Sequence, residues 1–82
     1  MITLRYFAKY REWAGTAAEQ ISPVPANLAG LLSLLREKHP NTLKILEDPR
    51  CIIAVNQQVV QGDDVVLQAG DEVAFYPPVT GG

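Results

Sequence analysis

The sequence predicts an α+β domain in which one mixed sheet of about five strands packs on one main helix. Three observations predict it. Residues 2 to 8 alternate apolar and polar side chains, the period of a half-buried strand. Leu28, Leu31, Leu32 and Leu35 recur at helical spacing, and the second half of the chain breaks into short β-rich runs separated by Gly, Asn and Asp. At 82 residues the chain builds one small core, so a single domain is expected over residues 1–82.

Taken in order, Ile2 to Ala8 form the first strand, with Ile2, Leu4 and Tyr6 on one face and Thr3, Arg5 and Phe7 on the other. Lys9 to Ala14 make a short helix that Gly15 ends in the left-handed conformation. Residues 17 to 22 give a second strand, closed by Ser22-Pro23-Val24-Pro25. The main helix runs from Leu28 to about Lys38, with Asn27 as N-cap and with Arg36 and Lys38 placed to suit the C-terminal end of the dipole. Gly30 weakens this helix by about 1 kcal/mol relative to Ala, unless the sheet approaches closely there. His39-Pro40 ends it, and Leu43 to Leu46 add one more turn. Cys51 to Val55, Val59-Val60, Val65 to Leu67 and Glu72 to Tyr76 are the later extended pieces, with a turn at Asn56-Gln57 and breaks at Gly62-Asp63-Asp64 and Ala69-Gly70-Asp71.

One helix covers one face of a sheet. Phe7, Val59 or Val60, and Phe75 or Tyr76 put large apolar groups on both sides of their strands, so some remain exposed and mark a partner-binding surface. Residues 1 to 44 carry six Lys/Arg against three Glu, whereas residues 45 to 82 carry Arg50 against six acidic residues. Most of these charges read as a solvated surface; the sharper reading is that the acidic half steers toward a basic partner. The absence of a basic stripe argues against nucleic acid, and the lack of an apolar run argues against a membrane segment or a leader peptide. A cytoplasmic protein is expected.

Little in the chain carries chemistry. Cys51 is the single cysteine, with no histidine or acid at a recognisable spacing, and reads as a small, buried or half-buried hydrophobe. His39 stands alone at a helix end. There is no phosphate-cradling glycine loop and no dinucleotide fingerprint, so the chain is expected to bind no cofactor and to spend no ATP itself. It is not expected to be an enzyme on its own.

What remains is the ending, Tyr76-Pro77-Pro78-Val79-Thr80-Gly81-Gly82. Two prolines stiffen the exit and two glycines thin the tip, so residues 77–82 read as a tail, flexible beyond the prolines, that reaches at most roughly 20 Å into a partner's interior. The only reactive group at its tip is the α-carboxylate of Gly82. An ionised carboxylate is a poor electrophile at neutral pH, so another protein must activate it, for which an acyl-adenylate made from ATP is the usual solution. A bare Gly-Gly is weak evidence alone; the rigid lead after a strand strengthens it.

These residues resemble a known family. Gly70-Asp71-Glu72-Val73 with Pro77-Pro78-Val79-Thr80-Gly81-Gly82, the opening Phe7-Ala8 with Arg11-Glu12 and Gly15, and Ala54-Val55-Asn56 in the middle are similar to the small subunit of molybdopterin synthase, the MoaD type. The resemblance covers the whole chain and implies a ubiquitin-like β-grasp. It also implies a sulfur-carrier cycle. A ubiquitin-activating-like adenylyltransferase adenylates Gly82 with ATP, a sulfurtransferase relay converts it to a thiocarboxylate, and the tail enters the large subunit to give sulfur to cyclic pyranopterin monophosphate. The implied assembly is a heterotetramer of two small and two large subunits. The implied partner-binding residues are Phe7, Arg11, Val59 and Phe75, together with Pro77, Pro78, Val79, Thr80 and Gly81. On this basis Phe75→Ala is expected to weaken binding of the large subunit without unfolding the domain.

Three other readings use the same features. A thiocarboxylate carrier for thiamine or tRNA thiolation shares the Gly-Gly ending but generally lacks this Pro-Pro-Val-Thr approach and opening. A protein modifier would join Gly82 to lysines of its targets. A plain interaction module would keep its function without Gly82.

Overall fold

The computed structural model describes residues 1–78. Along the chain lie β1 (Ile2–Tyr6), α1 (Lys9–Ala14), β2 (Ala18–Ile21), α2 (Leu28–Lys38), a 3-10 turn at Pro40–Thr42, α3 (Leu43–Leu46), β3 (Ile52–Val55), β4 (Gln58–Val59) and β5 (Glu72–Tyr76). Five strands among the described residues form one mixed sheet in the order β2-β1-β5-β3-β4. β1 and β5 pair in parallel and the other neighbours are antiparallel. The first and last strands therefore lie side by side, and the chain leaves β5 beside the end of β1.

α2 forms where the leucine spacing places it. The Asn27 side chain accepts a hydrogen bond from the Gly30 N–H at 2.8 Å, satisfying one of the donors that a helix start leaves free. Its Leu28, Leu31 and Leu35 pack on the face of the sheet that carries Ile2, Leu4, Tyr6, Val73 and Phe75, and all eight are buried. Each such side chain stabilises the fold by about 1.5–3 kcal/mol. The close approach at Gly30 comes from the loop before the helix rather than from the sheet. A Cβ there would stand 3.4 Å from Asn27 Oδ1 and 3.8 Å from Pro25 Cβ.

Several boundaries differ from the sequence reading: β2 covers Ala18–Ile21 rather than residues 17 to 22, and β3 begins at Ile52 rather than Cys51. β1 ends at Tyr6 because Ala8 takes φ 53°, which turns the chain directly into α1. The hairpin strand β4 covers Gln58–Val59 rather than Val59-Val60. Val65 to Leu67, expected as a brief extended piece, makes one bridge, Asn27 with Val66, and its backbone serves the entry of α2. Leu28 N–H donates to Val65 O at 2.8 Å and Leu67 N–H donates to Ala26 O at 3.1 Å. No helix among the described residues is long and apolar enough to cross a membrane.

Candidate functional site

Strand alternation builds the site. β1 and β5 turn Tyr6, Val73 and Phe75 toward α2, so Phe7, Ala74 and Tyr76 fall on the open face. There the rings of Phe7 and Tyr76 stack with centroids 4.5 Å apart and planes at 7°. β3 adds Ile52 and Ala54 to the same face, and the β3–β4 hairpin brings Val59, which is 66% exposed. Together with Pro77 and Pro78 they line an open, largely apolar groove of about 600 Å³ at the place where the chain leaves the sheet.

The structure sorts the residues named from the sequence. Phe7, Val59, Pro77 and Pro78 lie together in the groove. Arg11 stands exposed on α1 and does not line it. Val79, Thr80, Gly81 and Gly82 lie outside the described residues.

Phe75 is a correction. It is 0% exposed, its ring lies 5.6 Å from that of Tyr6 in the core, and the groove position belongs to Tyr76. The signal was available: Glu72 marks the wet face of β5, and a period of two puts Ala74 and Tyr76 with it. Ile52, Ala54 and Gln57 were also missed, because their place depends on β3 lying next to β5.

The far end of the groove is pinned by a polar clasp. Asn56 and Gln57 both have positive φ, 52° and 69°, and form the tight turn of the β3–β4 hairpin. Asn56 accepts from Glu72 N–H at 3.0 Å through Oδ1 and donates through Nδ2 to Asp71 Oδ1, also at 3.0 Å. That bond and the Gln68 N–H hold the Asp71 carboxyl below the usual carboxylate range. Beside it, Arg5 Nε meets Glu72 Oε1 at 2.9 Å.

The ionisable groups away from the groove are structural. Burial pushes the Cys51 thiol up to about 11, against a lowering contribution from Tyr10, so at neutral pH it is protonated and a poor nucleophile. Tyr10 donates to Asp48 Oδ2 at 2.7 Å and ties α1 to the loop after α3; burial first, then this bond, raises the Tyr10 hydroxyl above its ordinary value. Tyr6 donates to Glu19 Oε1 at 2.6 Å, and His39 Nδ1 lies 3.7 Å from the same oxygen. Among the described residues no group of three or more His, Cys, Asp or Glu is placed to hold a metal. The arrangement presents an apolar surface at the end of β5.

Comparison with known proteins agrees with this geometry. The ThiS family model matches residues 4–82. The chain belongs to the ThiS family. It is 39% identical to the molybdopterin synthase sulfur carrier subunit of Escherichia coli (strain K12), and the match covers 100% of both chains. SAMP1 from Haloferax volcanii superposes with a TM-score of 0.80 at 25% identity, covering 99% of this chain and 98% of that one. One chain of the complex of subunits 1 and 2 of molybdopterin-converting factor from Helicobacter pylori 26695 superposes with a TM-score of 0.74 at 25% identity, covering 99% and 97%. The architecture is the ubiquitin-like β-grasp that the resemblance implied.

Proposed function

We propose that this chain is the sulfur carrier subunit of a molybdopterin synthase and docks on the large subunit through the groove. The observation that carries the reading is the end-to-end identity of 39% with a protein of that name, joined to an apolar face at the base of the tail. The Helicobacter pylori complex of subunits 1 and 2 supports a large-subunit partner.

In this reading Gly82 is the substrate position. An adenylyltransferase spends ATP to join AMP to the Gly82 carboxylate, and a sulfur nucleophile displaces the AMP to leave a thiocarboxylate. The soft terminal sulfur then bonds to a carbon of cyclic pyranopterin monophosphate in the large subunit as an oxygen leaves that carbon, and water cleaves the resulting acyl C–S bond, which leaves the sulfur on the pterin and returns a carboxylate that can be recharged. Two such transfers build the dithiolene, which fits a heterotetramer of two small and two large subunits. Glycine suits the tip because a side chain would obstruct narrow activating and receiving sites. The catalytic groups belong to the partners, and the ATP is the activating enzyme's.

A second reading, a protein modifier, is favoured by one observation, the likeness to SAMP1, a small archaeal modifier protein. Deleting Gly82 and assaying both outcomes separates the readings. The carrier is expected to lose sulfur transfer to the pyranopterin and to show no lysine-linked conjugates in denaturing gels. Conjugates that vanish with Gly82, with no sulfur transfer by the intact chain, would establish the modifier instead.

A further inference from the structure

Ala8 sits at φ 53° and ψ −129°, a conformation that a non-glycine residue keeps only when its surroundings hold it there. The surroundings are two demands on neighbouring residues. Phe7 N–H continues the β1–β5 pairing by donating to Phe75 O at 3.2 Å, while α1 starts at once, with Tyr10 N–H on Phe7 O at 3.0 Å and Arg11 N–H on Ala8 O at 3.1 Å. The chain must reverse within one residue. The consequence is the place of Phe7, whose ring lies flat on Tyr76, 4.5 Å away.

Tyr76 is the last residue of β5, and Pro77 and Pro78 follow it in the groove. Proline rings fix φ at both positions, so few torsions separate Tyr76 from the chain beyond. A direction set at Tyr76 is carried outward through the two prolines.

We propose that Phe7 and Tyr76 are a positioning pair. Their stack, braced by the positive-φ turn at Ala8, fixes the direction in which the chain leaves the sheet at Pro77, and thereby sets how often a docked carrier presents its terminus for transfer. The inference rests on the sulfur-carrier reading for its kinetic consequence, but its structural half does not. Positioning acts on turnover, because a displacement of about 1 Å at a reacting centre lowers rates by up to about a hundredfold. A plain contact would act on affinity.

Phe7→Leu tests this, since leucine keeps apolar bulk in the groove and removes the ring; Phe7→Tyr is the rescue. In the isolated full chain in an aligned medium, the Cα–Hα dipolar couplings of Pro77 and Pro78 are expected to fall about twofold or more in Phe7→Leu, with those of Val73 unchanged, because angular averaging reduces them. Phe7→Tyr restores them. In sulfur transfer with the large subunit, Phe7→Leu is expected to lower kcat about tenfold with KM for the charged carrier within about twofold, and Phe7→Tyr to recover the rate. Unchanged couplings at Pro77, or a raised KM with kcat intact, overturn the proposal. If the couplings respond but the unmodified chain carries no sulfur, the carrier reading fails and the positioning pair stands.

Discussion

Tyr6 and Phe75 face each other across the parallel β1–β5 pair, ring centroids 5.6 Å apart and both shut off from solvent. One residue further on, Phe7 and Tyr76 repeat the pairing on the opposite face. Consecutive residues at the ends of β1 and β5 thus supply a core contact and a surface contact, with Phe7 just past the end of β1.

Phe75→Ala and Tyr76→Ala should therefore behave differently. The first empties a core position at about 3–5 kcal/mol, a large part of the 5–15 kcal/mol that holds a small domain. Its denaturant midpoint is expected to collapse. Tyr76→Ala should keep a midpoint near that of the unmodified chain and bind the large subunit more weakly. Denaturant titration and an affinity titration on both variants check this, and a stable Phe75→Ala domain would contradict the burial of that ring.

Acid should destabilise the fold through two carboxyls. The Asp48 carboxyl is held below its usual range by the Tyr10 hydroxyl and then by the Arg50 N–H at 3.0 Å, and that of Asp71 by Asn56 and then by the Gln68 N–H. A carboxyl with a lower pKa folded than unfolded contributes stability above its unfolded value and loses it as pH falls through the folded one. Stability on this account is level near neutrality and declines below about pH 4, the unfolded aspartate value. Tyr10→Phe and Asp71→Asn should each start less stable at neutral pH and show a shallower decline, read from urea midpoints across that range. An unchanged slope in both would remove these pairs from the account.

The hairpin turn offers a gain. Gln57 holds φ 69° after Asn56 at 52°, the pair of left-handed residues that a two-residue hairpin turn requires, and glycine meets the second at no steric penalty. Gln57→Gly is expected to stabilise by about 0.5 kcal/mol, which raises Tm by about 2–4 °C in a domain of this size. Thermal unfolding checks it, and a lower Tm would mean that the Gln57 side chain contributes more than its backbone loses.

How much of this was readable in the sequence depended on whether the cause was local. α2 is legible at its observed bounds because the spacing lies within its own residues and the cap Asn27 and terminating Pro40 stand within two residues of its ends, and β5 is legible because turn formers bracket it. β1 was read two residues too long, since nothing in the identity of Ala8 announces a positive φ that β1, β5 and α1 impose together. That Val65 to Leu67 pairs with the loop before α2 is a relation between distant segments, which its own residues do not announce. At the site, Phe7 is readable as an apolar residue on the wet side of its strand, whereas the residues alone leave Val59 and Val60 open and the resemblance supplies Val59. Alternation along β5 puts Phe75 in the core against what the resemblance implies, and the places of Ile52 and Ala54 follow from the strand order, which local residues do not encode.

The central claim is that Gly82 carries sulfur. Its most direct measurement is the intact mass of the full chain, and of its C-terminal peptide, after incubation with ATP, a sulfur donor and the activating enzyme of its own cell. The account expects one terminal oxygen exchanged for sulfur at Gly82, dependent on ATP and lost when Gly82 is deleted. An unchanged mass under conditions in which the same enzyme charges another carrier would contradict it.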